Sequence, residues 1–287
     1  IVTNIDQDHM ETYQNSYQRL KDTFIEFLHH LPFYGLAVMC LDDEGIREIL
    51  PDISKPVITY GVHEDADVRA IDISQKGMFT TYSVCRKGNY PILQVTLNMP
   101  GWHNMLNSLA AIAVATKLAV SDDAIISSLG AFKGVGRRFQ LNGDLALDGG
   151  TLTLVDDYGH HPKEIAATLE ALHQAWPERR SVIIFQPHRY SRTQAFMSEF
   201  ASALSLADDV TLLEVYAASE KPIPGVSSEV ISESMTNGKY IPNFVDATDA
   251  MIEMAKPGDV IMTLGAGDVS SLGPIIVDGL TKRFASN

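Results

Sequence analysis

The sequence predicts an α/β protein built in two parts, and three observations carry that prediction. Short apolar, β-branched runs alternate with amphipathic stretches; the alternation breaks at Phe132-Lys133-Gly134-Val135-Gly136; it then restarts and runs to the end of the chain. Strands that alternate with helices need crossover connections, and these make a mainly parallel sheet. The glycine-rich break places one domain at 1–133 and a second, doubly wound domain at 134–287.

Taken in order, Ile1-Val2-Thr3-Asn4-Ile5 reads as a strand already in progress, followed by Asp6-Gln7-Asp8-His9-Met10. Leu20, Phe24, Phe27, Leu28 and Leu31 recur at helical spacing, which predicts a helix over 16–30 that Pro32 ends. A buried strand over 35–41, a short helix ending at Pro51 and a strand over 57–60 complete a β-α-β-α-β alternation. Three more runs, 68–74, 78–85 and 92–97, are joined by Gln75-Lys76-Gly77 and Lys87-Gly88-Asn89, turn signals that predict an antiparallel meander. Gly101-Trp102-His103-Asn104 leads into a long helix over 105–120, and Ser121-Asp122-Asp123 caps another that ends at Gly130. Beyond the break, strands fall at about 139–147, 151–155, 181–186, 209–214, 241–245 and 259–264, with helices between most of them.

Composition narrows the class of function. With 287 residues, 45% hydrophobic and 20% charged, the chain can bury a sizeable core as a globular protein. A net charge of −14 argues against a general partner of nucleic acid or of an anionic membrane, while leaving room for a local basic pocket. Cys40 and Cys85 are the only cysteines and lack metal spacing, which points to a reducing, cytoplasmic compartment. No apolar run has the length of a membrane span, and the expectation is that no signal peptide precedes the fold.

Chemistry concentrates at strand ends. Asp156-Asp157-Tyr158-Gly159-His160-His161-Pro162 lies between the run 151–155 and a helix that Pro162 opens, so carboxylates and imidazoles gather at the edge of the sheet where ligands bind. Gln186-Pro187-His188-Arg189-Tyr190-Ser191-Arg192-Thr193 follows the next strand in the same way, and Arg189 and Arg192 at a helix start oppose its dipole unless an anion joins them. Arg137-Arg138, just past the break, offer guanidinium groups for a phosphate or an ion pair. His103, Asn104 and Asn107 share a helical face, with amides suited to a base edge such as adenine or to helix capping. His9, beside Asp6 and Asp8, is a loop histidine or a ligand to a phosphate-bound cation. Gly265-Ala266-Gly267-Asp268 has Ser270 where a third glycine would complete a dinucleotide fingerprint, so a dehydrogenase is not the reading.

In this order and spacing, Thr3-Asn4-Ile5 with Asp8-His9-Met10, Gly101-Trp102-His103-Asn104 with Asn107, Gly136-Arg137-Arg138-Phe139, the block 156–162 and the block 185–193 resemble the ATP-dependent Mur ligases. The resemblance runs from Ile1 to about Leu280. It implies the later part of a P-loop-type ATP-binding central domain followed by a C-terminal Rossmann-like domain. It also implies use of ATP and Mg2+, and the joining of L-alanine to UDP-N-acetylmuramate through an acyl phosphate in peptidoglycan precursor synthesis. Carried over by position, His9 is the magnesium ligand; His103, Asn104 and Asn107 meet adenine; Arg138, with Arg137, reaches ATP phosphate; and Asp156 lies toward the ribose or base. Tyr158, His160, His188, Arg189 and Arg192 line the muramate and alanine site, with His160, His188 and Arg189 the catalytic set. No G-x-x-x-x-G-K-[ST] occurs in the chain. The expectation is therefore that a UDP-binding domain and phosphate loop lie ahead of Ile1 and that this stretch alone is inactive. A ligase recycling murein tripeptide onto the same nucleotide sugar is the near alternative, with Tyr158-Gly159 favouring alanine. A non-catalytic module that captures an anionic metabolite is the alternative of another class.

Overall fold

The structure, a computed structural model, describes residues 1–285 and divides into two compact units, Ile1–Lys133 and the remainder from Gly134. The first unit is a five-stranded sheet in the order β1 (Ala37–Cys40), β2 (Val57–Gly61), β3 (Val68–Lys76), β4 (Phe79–Arg86) and β5 (Leu93–Leu97). β1, β2 and β3 are parallel; β3, β4 and β5 form the antiparallel meander expected from the turn residues. Helices α1 (Tyr17–His29), α2 (Glu44–Ile49), α3 (Trp102–Lys117) and α4 (Asp122–Ala131) complete it. The helix expected over 105–120 begins three residues earlier, at Trp102, and the opening strand shrinks to one parallel bridge, Val2 to Met39. The backbone after Val2 turns away because the Asp43 carboxylate accepts from the amide of Ile5 and the Tyr17 hydroxyl donates to its carbonyl.

Loop carboxylates organise this unit. Asp42 accepts from the amides of Val62 and His63, and at Gly61 (φ 150°) a Cβ would collide with it, so glycine lets the strand end close on the acid. Asp43 caps α2 through the Ile46 amide at 2.8 Å, and Arg86 on β4 grips Asp122 on α4 with bonds of 2.7 and 2.8 Å.

The second unit is a six-stranded sheet in the order β10 (Gly238–Tyr240), β9 (Asp209–Leu212), β8 (Ser181–Phe185), β11 (Val260–Leu264), β7 (Gly150–Asp157) and β6 (Gln140–Leu147). All neighbours are parallel except β6, which pairs with β7 as a hairpin. Helices α5 (Pro162–Ala175), α7 (Met197–Leu204) and α8 (Ser228–Glu233) pack in sequence on one another; α9 (Phe244–Met254) and α10 (Leu272–Ala285) pack as a second layer; the short α6 (Tyr190–Ala195) leads into α7. Leu152, Leu154, Val182, Ile184 and Ile261 meet the α9–α10 layer, while the alternate residues Val155, Ile183, Phe185 and Met262 are also buried. That double burial is why β8 reads as an unbroken apolar run. The strand expected over 241–245 is displaced: Pro242 cannot donate to a ladder, Asn243 caps α9 by accepting from Asp246, and the pairing is made by Gly238–Tyr240 instead.

Candidate active site

In the second unit, β11 lies between β7 and β8 although it comes last in sequence, so the connection from β11 runs to α10 while those from β7 and β8 run to α5 and α6. Such a switch point leaves a crevice at the carboxyl ends of the strands. Three loops meet there: Tyr158 to His161 after β7, Gln186 to Arg189 after β8, and Gly265 to Gly267 after β11.

The loops are built from short-range necessities. Asp157, 4% exposed, accepts from the amides of Gly159 and Phe139, each at 2.7 Å, and so folds the first loop back and pins the strand that precedes it. Burial raises its pKa, partly offset by those two amides. His161 and Glu164 form a reciprocal cap on α5, Glu164 accepting from the amides of both His160 and His161. Gly265, with φ 139°, places its amide on the Asp157 carbonyl; a Cβ there would sit 2.6 Å from the Gln186 carbonyl oxygen, and one on Gly267 would strike the Gln186 amide group and crowd the Tyr216 ring. Gly265 and Gly267 thus serve close packing of β11 against the neighbouring loop.

On this frame stands a row of rings. Tyr158 and His160 meet edge to face at 5.3 Å, His160 and His188 lie 6.1 Å apart, and His188 stacks on Tyr216 at 5.4 Å with 10° between planes. Cations flank the row. Arg137 and Arg138 lie over Tyr158 at 4.9 and 5.3 Å, and Arg192 Nη1 lies 3.4 Å from His188 Nδ1. Arg189, with φ 73°, is held in a left-handed conformation by its backbone amide donating a hydrogen bond to the Tyr216 carbonyl, and its guanidinium approaches Glu220 at 3.9 Å.

Hydrogen-bond partners assign the tautomers. Arg192 can only donate, so His188 Nδ1 is the lone-pair nitrogen and Nε2 carries the proton. His160 Nδ1 faces the Tyr158 carbonyl at 3.2 Å and Glu164 at 3.4 Å, both acceptors, so Nδ1 carries a proton. Burial, with Arg192, His160 and Arg189 adding to it, pushes His188 down to about 4, so it is neutral at pH 7.

The neighbouring arginines differ. Arg137 donates to buried Asp156 at 3.3 Å and to the Gly265 carbonyl at 2.6 Å, whereas Arg138 is half exposed with Glu164 at 3.7 Å. Asp156 is 3% exposed and its other oxygen accepts from Thr263 at 2.6 Å, so the acid faces inward. In the first unit, Asn104 donates to the Pro100 carbonyl at 2.8 Å, Asn107 is exposed, and His103 is partly buried in the first turn of α3. His9 has φ 52° and lies 3.6 Å from the Asp8 carboxylate; among the described residues no group of three metal-binding side chains occurs.

The structure brings together Tyr158, His160, His188, Arg189, Arg192, Arg137, Arg138 and Asp156. Sequence reasoning missed Tyr216, Glu220, Glu164 and Thr263. Val215-Tyr216-Ala217 could have been found, because it follows β9 just as the two recognised blocks follow β7 and β8.

Comparison with known proteins agrees with this frame. Residues 1–115 match the model of the Mur ligase middle domain, and residues 137–267 match that of the Mur ligase, glutamate ligase domain. The chain is 52% identical over its whole length to UDP-N-acetylmuramate–L-alanine ligase of Methylococcus capsulatus, of which it spans 61%. The structure of UDP-N-acetylmuramate–alanine ligase MurC from Thermotoga maritima superposes with a TM-score of 0.77 at 25% identity, covering 96% of this chain and 58% of that one. MurF ligase from Thermotoga maritima in complex with ADP shares the fold with a TM-score of 0.73 at 20% identity, covering 99% of this chain and 62% of the other. Each of the two parts matches a domain of the same family, in the order the sequence blocks require, and the chain belongs to the Mur ligases.

Proposed function

We propose that the chain is part of an ATP-dependent ligase that joins L-alanine to UDP-N-acetylmuramate in the cytoplasm, as a step of peptidoglycan precursor synthesis. The observation that carries the reading is the row His160–His188–Tyr216 with Arg189 and Arg192 beside it, at the switch point of a chain 52% identical to the Methylococcus ligase. The muramate carboxylate oxygen attacks the γ-phosphorus of ATP and ADP departs; the alanine nitrogen then attacks the acyl carbon, phosphate leaves and the nitrogen loses a proton.

The residues suit these demands. Arg189, 42% exposed at its side chain, offers a bidentate fork to a carboxylate or to the phosphate that replaces it. Neutral His188, protonated on Nε2, can donate to the oxyanion of the tetrahedral carbon. His160, its Nδ1 engaged by the Tyr158 carbonyl and Glu164, is the imidazole proposed to take the amine proton. Arg138, half exposed, is the cation proposed for ATP phosphate, while Asp156 acts through Arg137, holding it in place. Of the three residues expected at adenine, Asn107 is the exposed amide, and Asn104 keeps its carbonyl oxygen as an acceptor beside His103.

His9 with Asp8 fits Mg2+ in the mode where phosphates and water supply most ligands and the protein one or two. When bound, the ion neutralises charge on the phosphate oxygens.

The test is ADP release and amide formation by the full-length gene product with UDP-N-acetylmuramate, ATP and L-alanine. Arg189→Ala is expected to cut kcat/KM about 100-fold, the loss of a charge-assisted pair worth about 3 kcal/mol. Unchanged kcat/KM would remove Arg189 from the site. Preference for a murein tripeptide over L-alanine would overturn the acceptor assignment, and substrate binding without ATP turnover would favour a binding module.

A further inference from the structure

Tyr216 lies outside both recognised motifs, yet its ring packs in an offset stack against one face of the His188 imidazole, centroids 5.4 Å apart and planes within 10°. Its backbone is tied to the same turn on both sides: the Tyr216 amide donates to the Pro187 carbonyl and the Tyr216 carbonyl accepts from the Arg189 amide, each at 2.8 Å. Four residues on, Glu220 takes the amide of Ser191 at 2.9 Å and its hydroxyl at 2.7 Å, clamping the start of α6. Between them Ala218 (φ 47°) and Ser219 (φ 71°) are left-handed, as is Arg189 across the bridge. Strain at three non-glycine residues in two adjoining loops persists only where surrounding bonds impose it, and such places cluster at functional sites.

We propose that Tyr216 is a positioning residue for His188: it sets the plane of the imidazole and, by shielding one face from water, keeps it in the neutral form that the ligase reading requires. This rests on that reading for its consequence in catalysis, but not for its structural claim. The groups facing His188 are Arg192, Arg189, His160 and Glu220; the first three disfavour its protonation, while Glu220 favours it. Removing the ring admits water to the imidazole and weakens the largest of the effects that hold it neutral, which is burial. The Tyr216 hydroxyl plays no part, so phenylalanine should serve as well.

The experiment is an NMR pH titration of the His188 ring in this chain as Tyr216→Phe and Tyr216→Leu, with kcat and KM of the same variants in the full-length protein. For Tyr216→Leu the titration midpoint is expected to rise by at least about half a unit toward the ordinary histidine value of about 6.5. In the same variant kcat falls about tenfold and KM for ATP stays within about twofold. Tyr216→Phe keeps the native midpoint and kcat. An unmoved midpoint in Tyr216→Leu, or a phenylalanine variant as impaired as the leucine one, would overturn the proposal. Tyr216 is 39% exposed, so global unfolding of the leucine variant would also overturn it, marking a core residue instead. If the unaltered full-length protein ligates nothing, the ligase reading fails while the titration still decides the role of Tyr216.

Discussion

Arg137 and Arg138 are adjacent and identical in type, and the structure predicts that replacing each by alanine costs very different amounts of stability. Arg137 is 29% exposed at its side chain and pairs with Asp156, which is 4% exposed at its side chain. Arg137→Ala therefore strands a buried carboxylate with Thr263 as its remaining donor and takes a 2.6 Å bond from the Gly265 carbonyl. Breaking a buried pair from one side costs about 3–5 kcal/mol, and the part-exposed arginine places this pair near about 3 kcal/mol. For a unit of this size each kcal/mol moves Tm by about 2–4 °C, so a fall of roughly 10 °C is expected. Arg138, half exposed and 3.7 Å from Glu164, should contribute about 0–1 kcal/mol. Both lie over Tyr158, so loss of that contact cancels in the comparison. Thermal and urea unfolding of the chain, followed by circular dichroism, reads the difference. The double variant Arg137→Met with Asp156→Asn should recover most of the loss, because neither charge is then left buried alone. Equal losses for the two alanine variants, or no recovery in the double variant, would refute the assignment of Arg137 as a structural anchor.

Gly265→Ala should cost about 2–3 kcal/mol, since a left-handed φ coincides with a Cβ 2.6 Å from the Gln186 carbonyl oxygen. Gly225→Ala, with φ 78° and open space around it, should cost about 1 kcal/mol; equal urea midpoints for the two would contradict the packing role of Gly265. The hydrogen bond from Arg86 holds the Asp122 carboxyl below its usual range. Its stabilisation is therefore present above the unfolded value of about 3.9 and lost as pH falls through the lower folded value. Asp122→Asn should flatten the acid limb of Tm against pH, and an unchanged limb would count against the pairing. For His188 the folded value of about 4 lies below the unfolded one, so the unfolded chain binds more protons between about 4 and 6.5 and stability rises with pH across that window. His188→Asn should shallow that rise; the same slope in the variant would argue against a buried neutral imidazole.

The α/β class, the meander and the doubly wound second part are legible in the sequence because period and turn residues act locally. The misplaced strand at 241–245 shows the limit. Its apolar residues satisfy a strand pattern, but Asn243 and Asp246 form a cap, and capping at Asn243 starts a helix there. The two histidine-bearing turns were legible because ionisable residues were crowded at strand ends. Tyr216 and Glu220 were not, because a lone tyrosine and a lone glutamate acquire meaning only once β9 is placed beside β8. Asp156 illustrates the same gap: its position at a strand end is visible, whereas its inward orientation depends on Thr263, 107 residues away.

A chain with an excess of acid could neutralise every arginine, so the arginines that it leaves loosely held are informative. At the amino ends of the strands, Arg180 binds Asp259 at 2.6 and 3.0 Å and Asp209 at 3.1 Å, and Arg179 donates to the carbonyls of Thr151, Gly258 and Asp259. Those guanidinium groups lock strand ends together and spend four of their five donors each on the protein itself. At the carboxyl ends, Arg189 and Arg138 make ion pairs of 3.9 and 3.7 Å and remain 42% and 49% exposed. Glu220 could approach Arg189 more closely, but both of its oxygens are bound to Ser191. Two cations kept available beside the row of rings, at the one edge of the sheet where the connections diverge, suit the carboxylate and phosphate of the proposed reaction. At that edge the arginines themselves divide: Arg137 is committed to Asp156 and the Gly265 carbonyl, while Arg138 and Arg189 stay exposed.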